Sequence, residues 1–174
     1  MTTETIERTI QTWTREPVRA ASRPTVKARS VCSKAVIESG SFSWNADLPS
    51  ALGGDNSAPS PTALLLSALA GCAVTFIRDT LAPQLGVRIY SIDARVSCES
   101  DSRGLLGIDS VEPDLHNVSC DLLIESPDGE AAVQRVLEVW KERCPVYLAL
   151  LKPVQVSVSS TVVNWYEAPK RQME

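Results

Sequence analysis

Hydrophobic and polar positions alternate from Thr25 to Ala46 in the way a strand meander requires. TVKARSVCS alternates, AVIES comes next, and Gly40 turns the chain into FSWNA. The pattern then stops at DLPSALGGDNSAPS, a long loop of Gly, Pro and Ser. The next segment is different in kind: from Ala63 to Ile77 there is no charge at all. Ser60-Pro61 supplies an N-cap and a first helical proline, so the spacing predicts a helix from there to about Thr80, before Pro83 and Gly86. A rod apolar nearly all round is expected to be buried on nearly all sides. Ser67, Gly71 and Thr75 recur every four residues along it, and this stripe of small side chains predicts close approach of a second helix.

Alternation resumes over Val87–Cys98, with Ile92, Ala94, Val96 and Cys98 on one face. It returns over Leu115–Ser126 through Val118, Cys120, Leu122 and Ile124. The segment between them, with two glycines, reads as a wide hairpin connection. Pro127-Asp128-Gly129 leads into a helix over Glu130–Arg143, whose apolar stripe is Val133, Val136, Leu137 and Trp140. Cys144-Pro145 breaks it, because a residue before proline avoids the helical region, and Pro145 opens a new turn over Val146–Leu151. Val154–Val163 has valines in phase and predicts a final strand. Near the start, Ile6, Ile10 and Trp13 fit a short amphipathic helix, either a partly ordered extension or an arm on a partner subunit. The expected class is α+β, mostly antiparallel strands around a long buried central helix. One domain over residues 25–167 is expected, with polar extensions over 1–24 and 168–174.

Composition narrows the function. A net charge of −4 argues against nucleic acid as a partner. The central apolar run, interrupted by Ser67, Gly71 and Thr75, falls short of a membrane span. The N-terminus lacks the apolar core of a secretory signal, and a cytoplasmic location is expected. Five cysteines without CxxC spacing, and a single histidine, His116, fit neither a secreted disulfide framework nor structural zinc. The Gly-Gly pair in the long loop lacks the rest of a phosphate-binding motif.

Chemistry therefore falls to thiols. Cys32, Cys98 and Cys120 lie on predicted strand faces and read as small core hydrophobes. Cys72 sits in the middle of the apolar helix. Burial raises a thiol pKa, and three turns from the helix start the macrodipole no longer helps. Arg78 lies about 240° round the helix from Cys72, leaving Arg29, Lys27 or a residue of another subunit to supply a cation. Cys144 stands where a new turn begins, with backbone N–H groups near and Arg143 adjacent.

GGDNSAPSP leading into the helix, ALAGC ending at Cys72, and Arg143-Cys144-Pro145-Val146 with a valine-rich segment after it resemble the osmotically inducible protein C / organic hydroperoxide resistance superfamily over residues 25–165. The loop RGLLGID resembles its OsmC-like branch. The resemblance implies an intertwined homodimer with the central helices between sheets and sites at the subunit interface. It implies thiol-dependent reduction of organic hydroperoxides, with Cys72 as the peroxidatic thiol, Cys144 as the resolving thiol, an external dithiol as reductant, and no metal or organic cofactor. Family peroxidases carry a Glu after the helix-start proline, paired with an Arg. Here that position is Thr62, and Phe42–Ser60 contains no Arg or Lys. The alternative expectation is a non-catalytic member that binds an apolar small molecule at the dimer interface.

Overall fold

The computed structural model of the chain describes residues 3–152 and 154–163. The predicted tail over 168–174 and the end of the 25–167 domain lie outside these. The first element is helix α1, Thr3–Arg15, of which Ile6 is buried while Ile10 and Trp13 remain exposed. Three strands come next, β1 (Lys27–Val31), β2 (Lys34–Ser39) and β3 (Phe42–Ala46), in one antiparallel sheet. Val31 pairs with Lys34, so Cys32-Ser33 form the turn. Cys32 is therefore neither on a strand face nor in the core, as the alternation suggested. It is exposed, with φ of +52° in a tight turn where alternation no longer fixes a face.

The 47–59 loop is organised by Asp47, a buried carboxylate. It accepts hydrogen bonds from the N–H of Leu48 (2.8 Å) and from the N–H and hydroxyl of Ser57 (both 2.8 Å). The Ser57 groups hold its carboxyl below the usual carboxylate range. Gly54 passes so close to the Leu48 carbonyl that a Cβ would lie 2.0 Å from that oxygen. The second glycine of the pair is thus needed for loop closure rather than for a phosphate.

Helix α2, Pro61–Phe76, begins as expected: Ser60 Oγ accepts from the Ala63 N–H at 3.2 Å, with Pro61 at the first position. It does not end near Thr80. It passes through a π turn, Ile77–Leu81, into α3, Ala82–Gln84. A proline needs room where the i−4 carbonyl sits, and the wide turn just before Pro83 provides it. The rod closes at Gly86 (φ +67°), with the Val87 N–H on the Ala82 carbonyl at 2.8 Å. The whole helix, Pro61–Gln84, is long and apolar enough by length and composition to cross a membrane, contrary to the expectation from the shorter reading. Here it is the core helix of the chain. Its buried stripe is Leu69, Ala73, Ile77 and Leu81. Spacing by four drifts about 40° per repeat on an ideal helix, and the π turn offsets that drift for the last repeat.

Strand β4 (Ser91–Glu99) packs on α2 and pairs antiparallel with β5 (His116–Glu125). Ile92 opposes Ile124, Ala94 opposes Leu122 and Val96 opposes Cys120, all on the inner face. Cys98 and Cys120 are half-buried, while Val118 and His116, beyond an irregularity in the pairing, are exposed. Helix α4, Ser102–Leu105, lies in the connection. Helix α5, Glu130–Arg143, buries Val136 and Trp140 against the π turn, and α6, Pro145–Leu151, comes after Cys144.

Two further expectations differ from the structure. The rod is buried along one stripe only: Ser67, Gly71 and Thr75 are exposed and Leu65 is 40% exposed, because a single chain supplies one wall. Val154–Val163 is not a strand; Val158 is 89% and Val162 92% exposed. Alternation sets two faces, but a strand also needs an edge to pair with, and none is offered to it among the described residues of this chain. The β1–β3 sheet packs on no other described element in any extended way. Strands and helices are otherwise arranged as an α+β fold.

Candidate active site

Cys72 rides on α2 between the buried Leu69 and Ala73, facing α6. Cys144 is the single residue between α5 and α6 and has no exposed surface. Its φ of −72° and ψ of 113° are the extended geometry that Pro145 requires of its predecessor. The break turns the chain so that Cys144 Sγ lies 2.9 Å from Cys72 Sγ. Both are free thiols, and a sulfur–sulfur bond is only about 0.9 Å shorter than this separation.

The start of α6 serves both sulfurs. The Tyr147 N–H donates to Cys144 Sγ at 3.4 Å, and the Val146 N–H hydrogen-bonds Cys72. The Val146 interaction favours a Cys72 thiolate. Burial acts against it more strongly, aided by the neighbouring Cys144, and pushes the Cys72 thiol up to about 12. No guanidinium or ammonium contributes to that balance among the described residues. Arg78 is held by Asp79 at 2.7 Å, in keeping with its place round the helix. Arg143, although next to Cys144 in sequence, reaches Gln84 Oε1 at 3.4 Å. Arg29 lies on the β1–β3 sheet beside Glu38, 3.8 Å away. Thr62 is half-buried in the first turn of α2.

A cavity of about 280 Å³ lies among α2, β5, α5 and α6, lined by neither Cys72 nor Cys144. Its wall includes Leu69, Cys120, Trp140 and Tyr147, with Lys141 and Leu151 among the others. The rings of Trp140 and Tyr147 stack at 5.2 Å between centroids, tilted by 40°. The buried Trp140 Nε1–H has no acceptor among the described residues. No group of His, Cys, Asp and Glu suited to a metal ion occurs among the described residues.

The sequence pointed to both thiols, and the structure brings them together. It also pointed to backbone N–H groups at the turn that Pro145 opens, and these are the N–H groups of Val146 and Tyr147. It did not single out Asp47 behind the α2 entry loop.

A family model described as OsmC-like protein matches residues 54–159. The fold is similar to that of an OsmC-like protein from Mycoplasma pneumoniae, at 20% identity and a TM-score of 0.64, covering 76% of this chain and 89% of that one. It is also similar to an organic hydroperoxide resistance protein from Elizabethkingia anophelis, at 14% identity and a TM-score of 0.50, covering 74% and 88%. The chain matches no curated protein.

Proposed function

The chain belongs to the OsmC-like protein family, and from that premise we propose that it reduces organic hydroperoxides with Cys72 and Cys144 as a two-thiol redox pair. The observation that carries this reading is the 2.9 Å between the two sulfurs. In the proposed cycle the Cys72 thiolate attacks the O–O bond and becomes a sulfenic acid, and the alcohol leaves. Cys144 then attacks the Cys72 sulfur, water is lost, and a disulfide closes. An external dithiol reduces it by exchange. No cofactor enters this scheme. The direct test is dithiol-dependent consumption of an organic hydroperoxide by the reduced chain. No turnover above background would count against the proposal.

A pH profile arises from the burial of Cys72. The reacting species is the thiolate, and burial has raised its pKa to about 12. The rate of Cys72 oxidation is therefore expected to climb about tenfold per pH unit between pH 7 and 9. Stopped-flow loss of thiol across that range checks it. A rate already flat at pH 7 would mean that a cation absent from this arrangement holds the thiolate.

A homodimer is part of this reading. Among the described residues, the exposed small-residue stripe of α2, the unpacked β1–β3 sheet and the unpaired valines of 154–163 each lack a neighbour that a second copy can supply. A mostly unpacked three-stranded sheet gains little stability until one face is covered. Sedimentation at twice the 18.9 kDa chain mass is expected, and a species at the single-chain mass across micromolar concentrations would oppose it.

The raised Cys72 pKa also favours a second reading, a non-catalytic binder of apolar small molecules. The mostly apolar cavity among α2, β5, α5 and α6 supports it as well. Native mass spectrometry of freshly purified protein separates the two: a retained ligand, unaffected by Cys72→Ser and without hydroperoxide turnover, selects the binder.

A further inference from the structure

The cavity among α2, β5, α5 and α6 runs from a buried apolar floor to a charged mouth. Leu69 and Trp140, 2% and 3% exposed, form the floor. Leu151, 60% exposed, and the exposed Lys141 stand at the mouth. The volume of about 280 Å³ is just under the roughly 300–1,000 Å³ usual for small-molecule sites, so an occupant is small. Among the described residues Lys141 is the one cation of the wall, and the wall holds no Asp or Glu, in a chain of net charge −4. Its ammonium forms no ion pair or hydrogen bond with a described residue, Glu138 and Glu142 of the same helix included. The hydroxyl of Tyr147, a half-buried wall residue, also makes no hydrogen bond to a described residue. A lysine so placed lays its stem on apolar surface and keeps its charge in water. An apolar floor below one unpaired cation is complementary to a molecule with an apolar chain and a singly charged anionic head.

We propose that this cavity binds a straight-chain monocarboxylic acid of medium length, with its chain on Leu69 and Trp140 and its carboxylate at Lys141. The inference rests on the apolar-binder reading for the use of the cavity and adds the head group. It requires no chemistry at the thiol pair, which does not line the cavity. A single cation answers a single negative charge, which selects a carboxylate over a phosphate monoester of nearly twice that charge. Each methylene that enters the cavity leaves water, so affinity is expected to rise about fourfold per methylene until the floor is reached. The carboxylate at the mouth stays partly hydrated, so Lys141 is expected to add about fivefold.

The test is equilibrium dialysis of the full chain against hexanoate and octanoate, with 1-octanol as the uncharged control, and it does not depend on hydroperoxide turnover. Octanoate is expected to bind about fifteenfold more tightly than hexanoate, the effect of two methylenes. Lys141→Met keeps an apolar stem at an exposed position and leaves the fold intact. It is expected to weaken octanoate about fivefold and to leave 1-octanol unchanged. Octanoate affinity unchanged by Lys141→Met overturns the proposal; if 1-octanol then binds as well as octanoate, the apolar-binder reading stands without its head group. Binding of neither octanoate nor 1-octanol at millimolar concentrations overturns the proposal and removes that reading with it.

Discussion

Replacing Cys72 by serine is expected to reduce hydroperoxide turnover to the uncatalysed background, a loss of about a thousandfold or more. A serine hydroxyl in that place keeps the helix and most of the packing, but it cannot accept an oxygen from a peroxide and be restored by a dithiol. Replacing Cys144 instead should give a different defect. The first oxidation still occurs at Cys72, but the sulfenic acid has no thiol 2.9 Å away to condense with. It then meets further hydroperoxide and advances to sulfinic acid, so Cys144→Ser is expected to show one turnover and then inactivation. Mass spectrometry distinguishes these outcomes: the α2 peptide gains no oxygen in the first variant, and Cys72 gains two oxygens in the second. Turnover within tenfold of wild type in Cys72→Ser would place the chemistry elsewhere.

The largest expected loss of stability comes from Ile77→Ala. Ile77 has no exposed surface, opens the π turn and packs with Ala73, Leu81 and the α5 residues Val136 and Trp140 in one core cluster. Truncation removes three carbon atoms from a site where helix meets helix and little can collapse to refill the space. The expected cost is about 3 kcal/mol in urea unfolding at fixed protein concentration. Fixed concentration matters because a dimer's apparent stability depends on it. A loss below about 1 kcal/mol would mean that the site repacks and that the stripe does not anchor α2.

Local signals in the sequence located most elements. Ser60-Pro61 carries its own cap chemistry, and Cys144-Pro145 carries its own break, so α2, α5 and α6 begin where the residues say. Longer-range facts were less accessible. The helix runs on through Pro83 because a π turn makes room for the ring, and neither hydropathy nor spacing signals a π turn. Cys32 occupies a left-handed turn position that alternation reads as strand. Val154–Val163 alternates but has no edge to pair with among the described residues of one chain. The pairing of Cys72 with Cys144 spans 72 residues, and only a family resemblance suggested it beforehand.

In the proposed cycle Cys72 and Cys144 form one redox couple. Adding one equivalent of an organic hydroperoxide to the reduced chain, then alkylating and counting thiols by mass spectrometry, tests it most directly. Two of the five thiols are expected to be lost per equivalent, and the first disulfide is expected to join Cys72 to Cys144. Five alkylated cysteines, or a first disulfide that omits Cys72, would contradict it.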